Sequence, residues 1–230
     1  SQPIFNKSKN KVLVFNGEIY NYKTLRNKLK NSGYIFKSDT DSEAIIHEYE
    51  EHPKSYLSNL DGMFAIAIYN LETNKLLLSR DRVGIKPLYY YIDEDQIIFA
   101  SEIKAILTNT IINFEVNKQS IWDFLTYRYV PQPNTIWSKI KKLEPGHTLE
   151  LDITKWKYSI TKYFINPEPI KSHFYSSKNY IKQFDSVFKN AIKTHLQSDV
   201  PVGVLLSGGL DSTAILSAIS ELKYKDIKTY

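Results

Sequence analysis

The residues best suited to chemistry in this chain form a short glycine-rich stretch near residue 210. This stretch, Ser207-Gly208-Gly209-Leu210-Asp211-Ser212, follows an apolar run from Val200 to Leu206 and precedes a segment with apolar residues at helical spacing. A glycine-rich turn between a strand and a helix directs backbone N–H groups outward at the positive end of the helix dipole, which suits a phosphate chain. The serine hydroxyls add donors, and Asp211 is able to hold the Mg²⁺ that accompanies polyphosphate. The sequence therefore predicts a polyphosphate site here.

Better-known loops with related chemistry fit this stretch less well. No Lys follows the second glycine as in G-x-x-x-x-G-K-[ST], and the spacing differs from G-x-G-x-x-G. A G-x-S-x-G nucleophile elbow is excluded because Leu205 stands where its first glycine would be. The structural alternative is a strand-to-helix turn that uses its glycines only for tightness. The six-residue string resembles the pyrophosphate loop of ATP pyrophosphatases, which cleave ATP between the α and β phosphates, and this resemblance favours the functional interpretation.

The composition is that of an ordinary globular protein. The 230 residues, 42% hydrophobic and 24% charged, suffice for one large domain or two small ones. No apolar run approaches the length of a membrane span, the start has no signal-peptide pattern, and the lack of Cys is compatible with the cytosol. The net charge of +5 comes from scattered lysines, and the five His show no metal-ligand spacing. We therefore expect no nucleic-acid partner, no membrane partner and a cytoplasmic location.

The first part of the chain predicts antiparallel strands and a few helices. A strand from Lys11 to Phe15 is predicted to end in a tight turn at Asn16-Gly17-Glu18, and helices are predicted to begin at caps Asn21 and Asp41. Further strands are predicted at 63–69, 75–80, 88–92 and 96–100, and further helices at 102–107 and 118–128. The short connections between these strands favour antiparallel pairing.

Three short segments with polar residues receive structural rather than catalytic interpretations. An ion pair explains Arg80 and Asp81, a rigid turn explains Lys86-Pro87, and His147 is assigned to a turn. None of them is predicted to be catalytic.

The last part of the chain has a different order of elements. Residues 166–178 hold two Pro and three Ser without periodicity, which predicts a linker. Residues 180–197 predict an amphipathic helix with one apolar face, made of Phe184, Val187, Phe188, Ala191 and Ile192. Helix, strand, glycine loop, helix and a strand near Ile227 then alternate as in a parallel α/β domain. We therefore expect one domain over 1–165 and the beginning of a second over 179–230.

Several stretches of the first part together resemble class II glutamine amidotransferases. They are residues 12–21 (VLVFNGEIYN), 38–43 (SDTDSE), 60–65 (LDGMFA), 80–89 (RDRVGIKPLY) and 100–105 (ASEIKA). With the S-G-G-L-D-S loop in the same chain, the combination is similar to the family of glutamine-hydrolysing asparagine synthetases. The resemblance implies an α+β sandwich like that of the N-terminal-nucleophile hydrolases, with antiparallel sheets and helices. It further implies that this sandwich is followed by the start of an α/β parallel-sheet ATP-pyrophosphatase domain.

The resemblance also implies roles for particular residues. The Asn16 side-chain amide and the Gly17 backbone N–H would form an oxyanion hole for attack on the glutamine amide, which needs preorganised donors about 3 Å away. Glu18 and Asp41 would bind the polar head of glutamine, with Asp41 suited to its ammonium group. A hairpin turn at Asn16-Gly17 and a helix cap at Asp41 are the structural alternatives.

The second site would bind ATP with Mg²⁺. Its residues are Leu205, Ser207, Gly208, Gly209, Leu210, Asp211 and Ser212. Asp211 would hold Mg²⁺, and Leu205 would contact AMP. Glutamine, aspartate and ATP are the substrates implied, and a homodimer is left open.

The family's glutaminase nucleophile is an N-terminal Cys, and this chain has no Cys. Ser1 lies only fifteen residues before Asn16, whereas the family places its nucleophile several dozen residues earlier, so we interpret Ser1 as a cut end. We expect a piece of a longer protein, with the nucleophile, a carboxylate-binding Arg, a second Mg²⁺-binding acid and the aspartate pocket outside it.

Two alternatives to asparagine synthesis stay open. Residues 127–133 (YRYVPQP) with Ile136 resemble a segment of bacterial asparagine-synthetase-like proteins, some of which amidate sugars or other carboxylates in surface-polymer or natural-product pathways. A non-catalytic binding protein of the same fold is the other alternative. The intact S-G-G-L-D-S loop argues against it, because a protein that never uses ATP gains nothing from Asp211.

Overall fold

A computed structural model describes residues 2–168, 177–197, 201–224 and 227–230. The chain divides into two compact units, residues 1–166 and 167–230. Within the described ranges, no helix is both long enough and apolar enough to cross a membrane.

The first unit contains nine strands and five helices in its described residues. The strands are β1 (Ile4–Phe5), β2 (Lys11–Ile19), β3 (Gly62–Asn70), β4 (Lys75–Arg80), β5 (Tyr89–Ile92), β6 (Ile97–Ala100), β7 (Ile140–Lys142), β8 (His147–Asp152) and β9 (Lys157–Lys162). The helices are α1 (Tyr22–Asn31), α2 (Asp41–Glu51), α3 (Tyr56–Asn59), α4 (Ile103–Leu107) and α5 (Lys118–Tyr127).

The strands form two antiparallel sheets. The larger has the order β1-β2-β3-β4-β8-β9, and the smaller has the order β6-β5-β7. The longest pairing joins β2 to β3, from Lys11 opposite Asn70 to Ile19 opposite Gly62. The antiparallel pairing expected from the short connections is therefore confirmed.

Alternating side chains on the strands divide the unit into layers. On β3, Ile66 and Ile68 pack with α1 and α2, whereas Ala65 and Ala67 pack toward the smaller sheet. The core between the sheets also contains Leu78 and Leu149, both fully buried, with Leu88 and Tyr90. Tyr91 faces the other way, into a third cluster with Ile106 of α4 and Ile140 of β7. The order is helices, sheet, sheet and helix, which confirms the predicted α+β sandwich.

Local predictions failed where long-range pairing decides the backbone. Asn16 and Gly17 are not in a turn, because β2 continues through both of them along β3. β1, β7, β8 and β9 were not predicted, and His147 begins β8 rather than lying in a turn. Asp41 is the first residue of α2, and the cap position belongs to Thr40.

Arg80 and Asp81, at the end of β4, form two separate hydrogen-bond centres. The Arg80 guanidinium donates to the backbone oxygens of Gly84, Lys86 and Leu143 at 2.6 to 2.7 Å and to Gln132 Oε1 at 2.8 Å. Burial lowers the pKa of Arg80 from its ordinary value, although nearby Asp81 acts in the opposite direction. The predicted ion pair between these two side chains is wrong. Successive side chains of an extended chain point in opposite directions, so Arg80 and Asp81 bind different partners.

The Asp81 carboxylate anchors the turn after β4. Oδ1 accepts the N–H of Val83 and Ile85 at 3.2 and 2.9 Å, and Oδ2 accepts the N–H of Phe64 and Lys86 at 3.2 and 2.9 Å. Asp81 is fully buried. The rigid turn predicted at Lys86-Pro87 thus belongs to a turn that one carboxylate binds through three backbone groups and joins to Phe64 of β3.

Replacing Asp81 with alanine should lower the free energy of unfolding of the first unit by about 3 kcal/mol, because four backbone donors, including that of buried Phe64, would lose their acceptor. All three tryptophans precede residue 166, so the tryptophan fluorescence of the whole chain in increasing denaturant reports on this unit. Asp95→Ala, at an exposed position, is the matched control and should leave the midpoint unchanged. Equal midpoints for the two variants would contradict this role of Asp81.

The second unit has two helices and two parallel strands in its described residues. They are α6 (Ser177–His195), β10 (Gly203–Val204), α7 (Leu210–Glu221) and β11 (Lys228–Thr229). The expected parallel βαβ order is therefore confirmed. The strand predicted from Val200 is shorter than expected, and Val200 lies outside the described residues, as do residues 169–176 of the predicted linker. Of the predicted apolar face of α6, Ile192 is buried, whereas Phe184 and Val187 are 66% and 70% exposed.

Candidate functional site

A small cleft lies between the two sheets, and there Asn16 of β2 lies next to the end of β6. The cleft has a volume of about 130 Å³. It is lined by residues of both sheets and of the segments next to them: Val14, Asn16, Ala67, Leu88, Phe99 and Ser101. Asn16 Nδ2 donates a hydrogen bond of 3.0 Å to Ser101 Oγ, and the Asn16 side chain is otherwise exposed. An amide donor therefore lies at the mouth of a mostly apolar cleft.

Gly17 lies where β2 and β3 approach closely. A Cβ at this position would lie 2.1 Å from the backbone oxygen of Met63, a distance that real Cβ atoms essentially never show. Gly62, on the facing strand, has the reciprocal relation to the backbone oxygen of Glu18, at 2.2 Å. The two glycines let the strands meet beside the cleft, which is a packing reason for Gly17 in addition to any catalytic one.

Asp41 connects the start of α2 to the end of β2. Its Oδ2 accepts the backbone N–H of Ile19 at 3.1 Å, so the carboxylate is held at the end of β2 rather than serving only its own helix. Burial raises the pKa of the Asp41 carboxyl above its ordinary value, although hydrogen bonds from the backbone N–H groups of Ile19 and Ser42 act in the opposite direction. The four residues predicted to bind glutamine therefore lie on two adjoining elements.

Negative charge collects around Tyr20, immediately after β2. Burial raises the pKa of the Tyr20 hydroxyl, and the charges of Asp61, Glu18 and Asp81 raise it further. Of these carboxylates, Glu18 belongs to β2, and that of buried Asp81 is already bound by four backbone N–H groups.

Glu43 supports the segment in front of Asp41, a role that sequence reasoning missed. Its carboxylate accepts the N–H groups of Lys37 and Ser38, each at 2.7 Å, and the Ser38 hydroxyl at 2.6 Å. Burial alone would raise the pKa of Glu43, but these hydrogen bonds and nearby His47 lower it below its ordinary value. The pattern SDTDSE contained this residue, yet only the fold shows which groups it binds.

The predicted polyphosphate loop connects β10 to α7. Gly208 has φ of +75°, a left-handed conformation that favours glycine, and nothing lies within 4 Å of the place that a Cβ would take there. Ser207 Oγ lies 3.2 Å from Ser212 Oγ and 3.4 Å from the N–H of Gly209, and Ser212 Oγ also donates to the Gly209 oxygen. The two serine hydroxyls thus stabilise the turn through hydrogen bonds to each other and to the backbone of Gly209.

The N-terminus of α7 faces solvent. Gly209 is its cap residue, without a side-chain cap hydrogen bond, and exposed Asp211 lies in the first turn. Leu205 and Leu210, on either side of the glycines, are 80% and 87% exposed. The strand, turn and helix that a phosphate-binding loop requires are therefore present, and the loop is accessible.

A larger cleft of about 680 Å³ lies elsewhere in the first unit. It is lined by residues that include Lys7, Tyr34, His47 and Glu50, and by none of the predicted site residues. Volume alone therefore does not identify the candidate site.

Comparisons with known proteins match each of the two parts of the chain to a protein family. Residues 1–164 match the family model of the glutamine amidotransferase domain, and residues 183–230 match that of asparagine synthase. Asparagine synthetase [glutamine-hydrolyzing] 1 of Bacillus subtilis (strain 168) is 35% identical over 233 residues, covering 100% of this chain and 35% of the relative. Asparagine synthetase B [glutamine-hydrolyzing] of Escherichia coli (strain K12) is 35% identical over 225 residues, covering 96% and 34%. The chain spans about a third of the length of these curated relatives.

A solved structure supports the fold alone. The allosteric regulatory enzyme of purine biosynthesis aligns with a TM-score of 0.50 at 19% identity, covering 100% of this chain and 46% of that one.

The family model for the first part covers well over half of the chain, and the resemblance predicted from the sequence is thereby confirmed. The chain thus belongs to the family of glutamine amidotransferase domains and continues into a segment that matches asparagine synthase.

Proposed function

We propose that this chain is part of a glutamine-dependent asparagine synthetase. Glutamine hydrolysis at the first unit would supply ammonia. ATP would activate the side-chain carboxylate of aspartate as an acyl-adenylate with release of pyrophosphate, and ammonia would then displace AMP to give asparagine. The observation that carries the proposal is the presence, in this order on one chain, of the Asn16 cleft and the S-G-G-L-D-S loop.

In the glutamine half, the roles proposed for β2 follow from where charge develops. Attack on the glutamine amide gives an oxyanion, which the Asn16 amide and the Gly17 N–H would stabilise as preorganised donors. Glu18 and Asp41 would hold the polar head of glutamine, with Asp41 next to its ammonium. The position of Asp41 beside the end of β2 supports this assignment.

In the synthetase half, the loop before α7 would hold the phosphates of ATP. The proposed contacts come from the backbone and hydroxyl groups of Ser207, Gly208, Gly209 and Ser212, with Leu205 and Leu210 at the sides of the nucleotide. The open space above Gly208 supports this assignment, because a phosphate could approach the backbone there.

Mg²⁺ fits the donors of this loop. Asp211 offers an exposed carboxylate, and the described part of the chain contains no cluster of three or more acidic or His side chains that could enclose a metal. One carboxylate together with substrate phosphates is a common way to bind Mg²⁺. The ion would neutralise phosphate charge as pyrophosphate leaves.

The proposed organisation is a glutaminase domain over 1–165, a linker over 166–178 and the beginning of the synthetase domain from 179. The observed break between the units after Asn166 supports this division, and α6 begins at Ser177, one residue before the proposed end of the linker. A cytoplasmic location stays a prediction, and a homodimer stays open.

The test of the proposed function uses the complete protein that contains this chain. With glutamine, aspartate and ATP it should form asparagine and pyrophosphate in equal amounts, and ammonia should replace glutamine. Pyrophosphate release that is indifferent to aspartate would favour amidation of another acceptor. Tight ATP binding with no turnover on any acceptor would support a binding protein instead.

Glutamine binding should weaken as the pH falls from neutral, because Asp41 attracts the ammonium only while its carboxylate is ionised. The raised pKa of Asp41 makes this loss begin at a higher pH than for an exposed aspartate. The KM for glutamine, measured in the glutaminase assay at a series of acidic pH values, reports the change. Asp41→Asn should raise KM about 10- to 100-fold at neutral pH and flatten the profile.

Asp39→Asn is the matched control for this prediction. Asp39 lies two residues earlier and pairs with Arg26 at 2.7 Å, with its side chain 97% exposed. This variant should keep the wild-type profile. A profile of Asp41→Asn that follows the wild type would contradict the proposed contact with the ammonium.

A further inference from the structure

The hydrogen bond between Asn16 and Ser101 crosses from one sheet of the sandwich to the other. Asn16 lies in β2 of the larger sheet, and Ser101 directly follows β6 of the smaller sheet. The two residues are separated by 85 positions in the sequence, and the donor–acceptor distance is 3.0 Å. The stretch ASEIKA carries no role in the function proposed above, yet its serine contacts the residue proposed for the oxyanion hole.

The chemistry of a primary amide gives this contact a consequence. Asn16 Nδ2 carries two hydrogens, of which Ser101 Oγ accepts one. The second hydrogen stays able to donate, and its direction is fixed by the first because both lie in the amide plane. A donor to an oxyanion must lie within about 2.7 to 3.1 Å of the developing charge, so small rotations of the amide matter.

The Asn16 side chain has little else to hold it. It is exposed, it projects from β2 toward the cleft, and opposite it in the register of β3 is Ala65, whose methyl group offers no hydrogen bond. Two rotatable side-chain bonds would let the amide leave the orientation that catalysis needs. An immobilised donor does not have to reorient as the oxyanion forms. Preorganised sites gain most of their rate enhancement in this way.

A purely structural role for this hydrogen bond is the alternative. Asn16 is exposed and Ser101 is half-buried, and both groups bind water in the unfolded chain, so the bond contributes little net free energy of folding. Its loss should therefore alter the rate of the chemical step more than the stability of the first unit.

We propose that Ser101 is a positioning residue for glutamine hydrolysis, which holds the Asn16 amide with one N–H directed at the oxyanion. This inference rests on the proposed function, since it requires that Asn16 serve the glutaminase reaction. In this role Ser101 acts by orienting Asn16 and not by binding glutamine. Its effect passes entirely through Asn16.

The test compares variants of the complete protein in the glutaminase assay. Ser101→Ala should lower kcat about tenfold, the effect of one neutral hydrogen bond, with little change in the KM for glutamine. Ser101→Thr keeps the hydroxyl and should restore most of kcat. In an Asn16→Ala background, Ser101→Ala should cause no further loss, because residues that act through one another are not additive.

Ser79→Ala is the matched control. Ser79 Oγ lies 3.0 Å from Thr148 Oγ1 and 3.3 Å from the Tyr56 hydroxyl, so this variant removes a hydroxyl from the same sandwich without altering the cleft. It should leave kcat unchanged. Denaturant unfolding followed by tryptophan fluorescence shows whether each variant folds, and Ser101→Cys replaces Ser101→Ala if the alanine variant does not.

The outcomes separate this inference from the proposed function. Suppose that the wild-type protein forms asparagine from ammonia and hydrolyses glutamine. If Ser101→Ala then hydrolyses glutamine with the wild-type kcat, the role of Ser101 alone is overturned. Additive losses in the double variant would also overturn it. A wild-type protein without glutaminase activity would overturn both proposals together.

Discussion

Asparagine synthesis by the complete protein should fall about 10³-fold or more when Asp211 is replaced by asparagine. The substitution keeps the size of the side chain and removes the charge that would hold Mg²⁺ against the phosphates of ATP. The lost electrostatic stabilisation of leaving pyrophosphate amounts to several kcal/mol. Release of pyrophosphate with saturating aspartate and ammonia measures the effect without involving the glutaminase site.

Two comparisons make the Asp211→Asn result specific. Glutamine hydrolysis in the same variant should be unchanged. Asp185→Asn, which neutralises an exposed carboxylate of α6 that pairs with Lys189 at 2.8 Å, should keep normal synthesis. Synthesis that survives in Asp211→Asn would show that the metal assignment is wrong.

The second large effect is expected at Asn16. Asn16→Ala removes one donor of the proposed oxyanion hole, and removal of one such donor lowers kcat by about 10²- to 10³-fold in well-studied hydrolases. Glutamate release from glutamine should therefore nearly stop. Synthesis from ammonia should continue at the wild-type rate, because ammonia enters the reaction after the glutaminase step.

Asn134→Ala is the control for Asn16→Ala. The Asn134 amide accepts from Lys141 Nζ at 3.1 Å, outside the cleft, so its loss should leave glutamine hydrolysis unchanged. If Asn16→Ala retained normal hydrolysis, the glutamine site would have to be sought away from β2.

Sequence patterns were sufficient where local order determines structure. The apolar spacing of Leu25 and Leu29 predicted α1, and both side chains are buried. The alternating strands from residue 62 to residue 100 were also found within one or two residues of their observed bounds. In β8, Leu149 and Leu151 alternate with polar residues in a pattern that could have been recognised, and both are fully buried.

Predictions failed where residues distant in the sequence determine the backbone conformation. Asn-Gly is a strong turn signal by itself, yet pairing with Ala65 and Phe64 keeps Asn16 and Gly17 extended. Asp81 binds backbone groups, one of them from Phe64 of another strand, which no local pattern specifies.

The glutamine-binding residues were predicted from the sequence only through resemblance to a family, whereas the glycine loop before α7 was predicted from its own residues. The residues around it, Ser101 beside Asn16 and Ile19 beside Asp41, become neighbours through sheet packing over separations of 85 and 22 positions. Motif spacing gives the identity of such residues, and the fold gives their contacts.

The two outer strands of the larger sheet determine how the first unit behaves toward copies of itself. An unpaired strand edge is a template on which another chain can add a strand and begin a fibre. On one side β1 has only two residues, and on the other β9 carries a lysine at each end, Lys157 and Lys162. A short edge offers few hydrogen bonds, and an incoming copy of β9 would bring like charges together. Both features disfavour the addition of a further strand at the margins of this sheet.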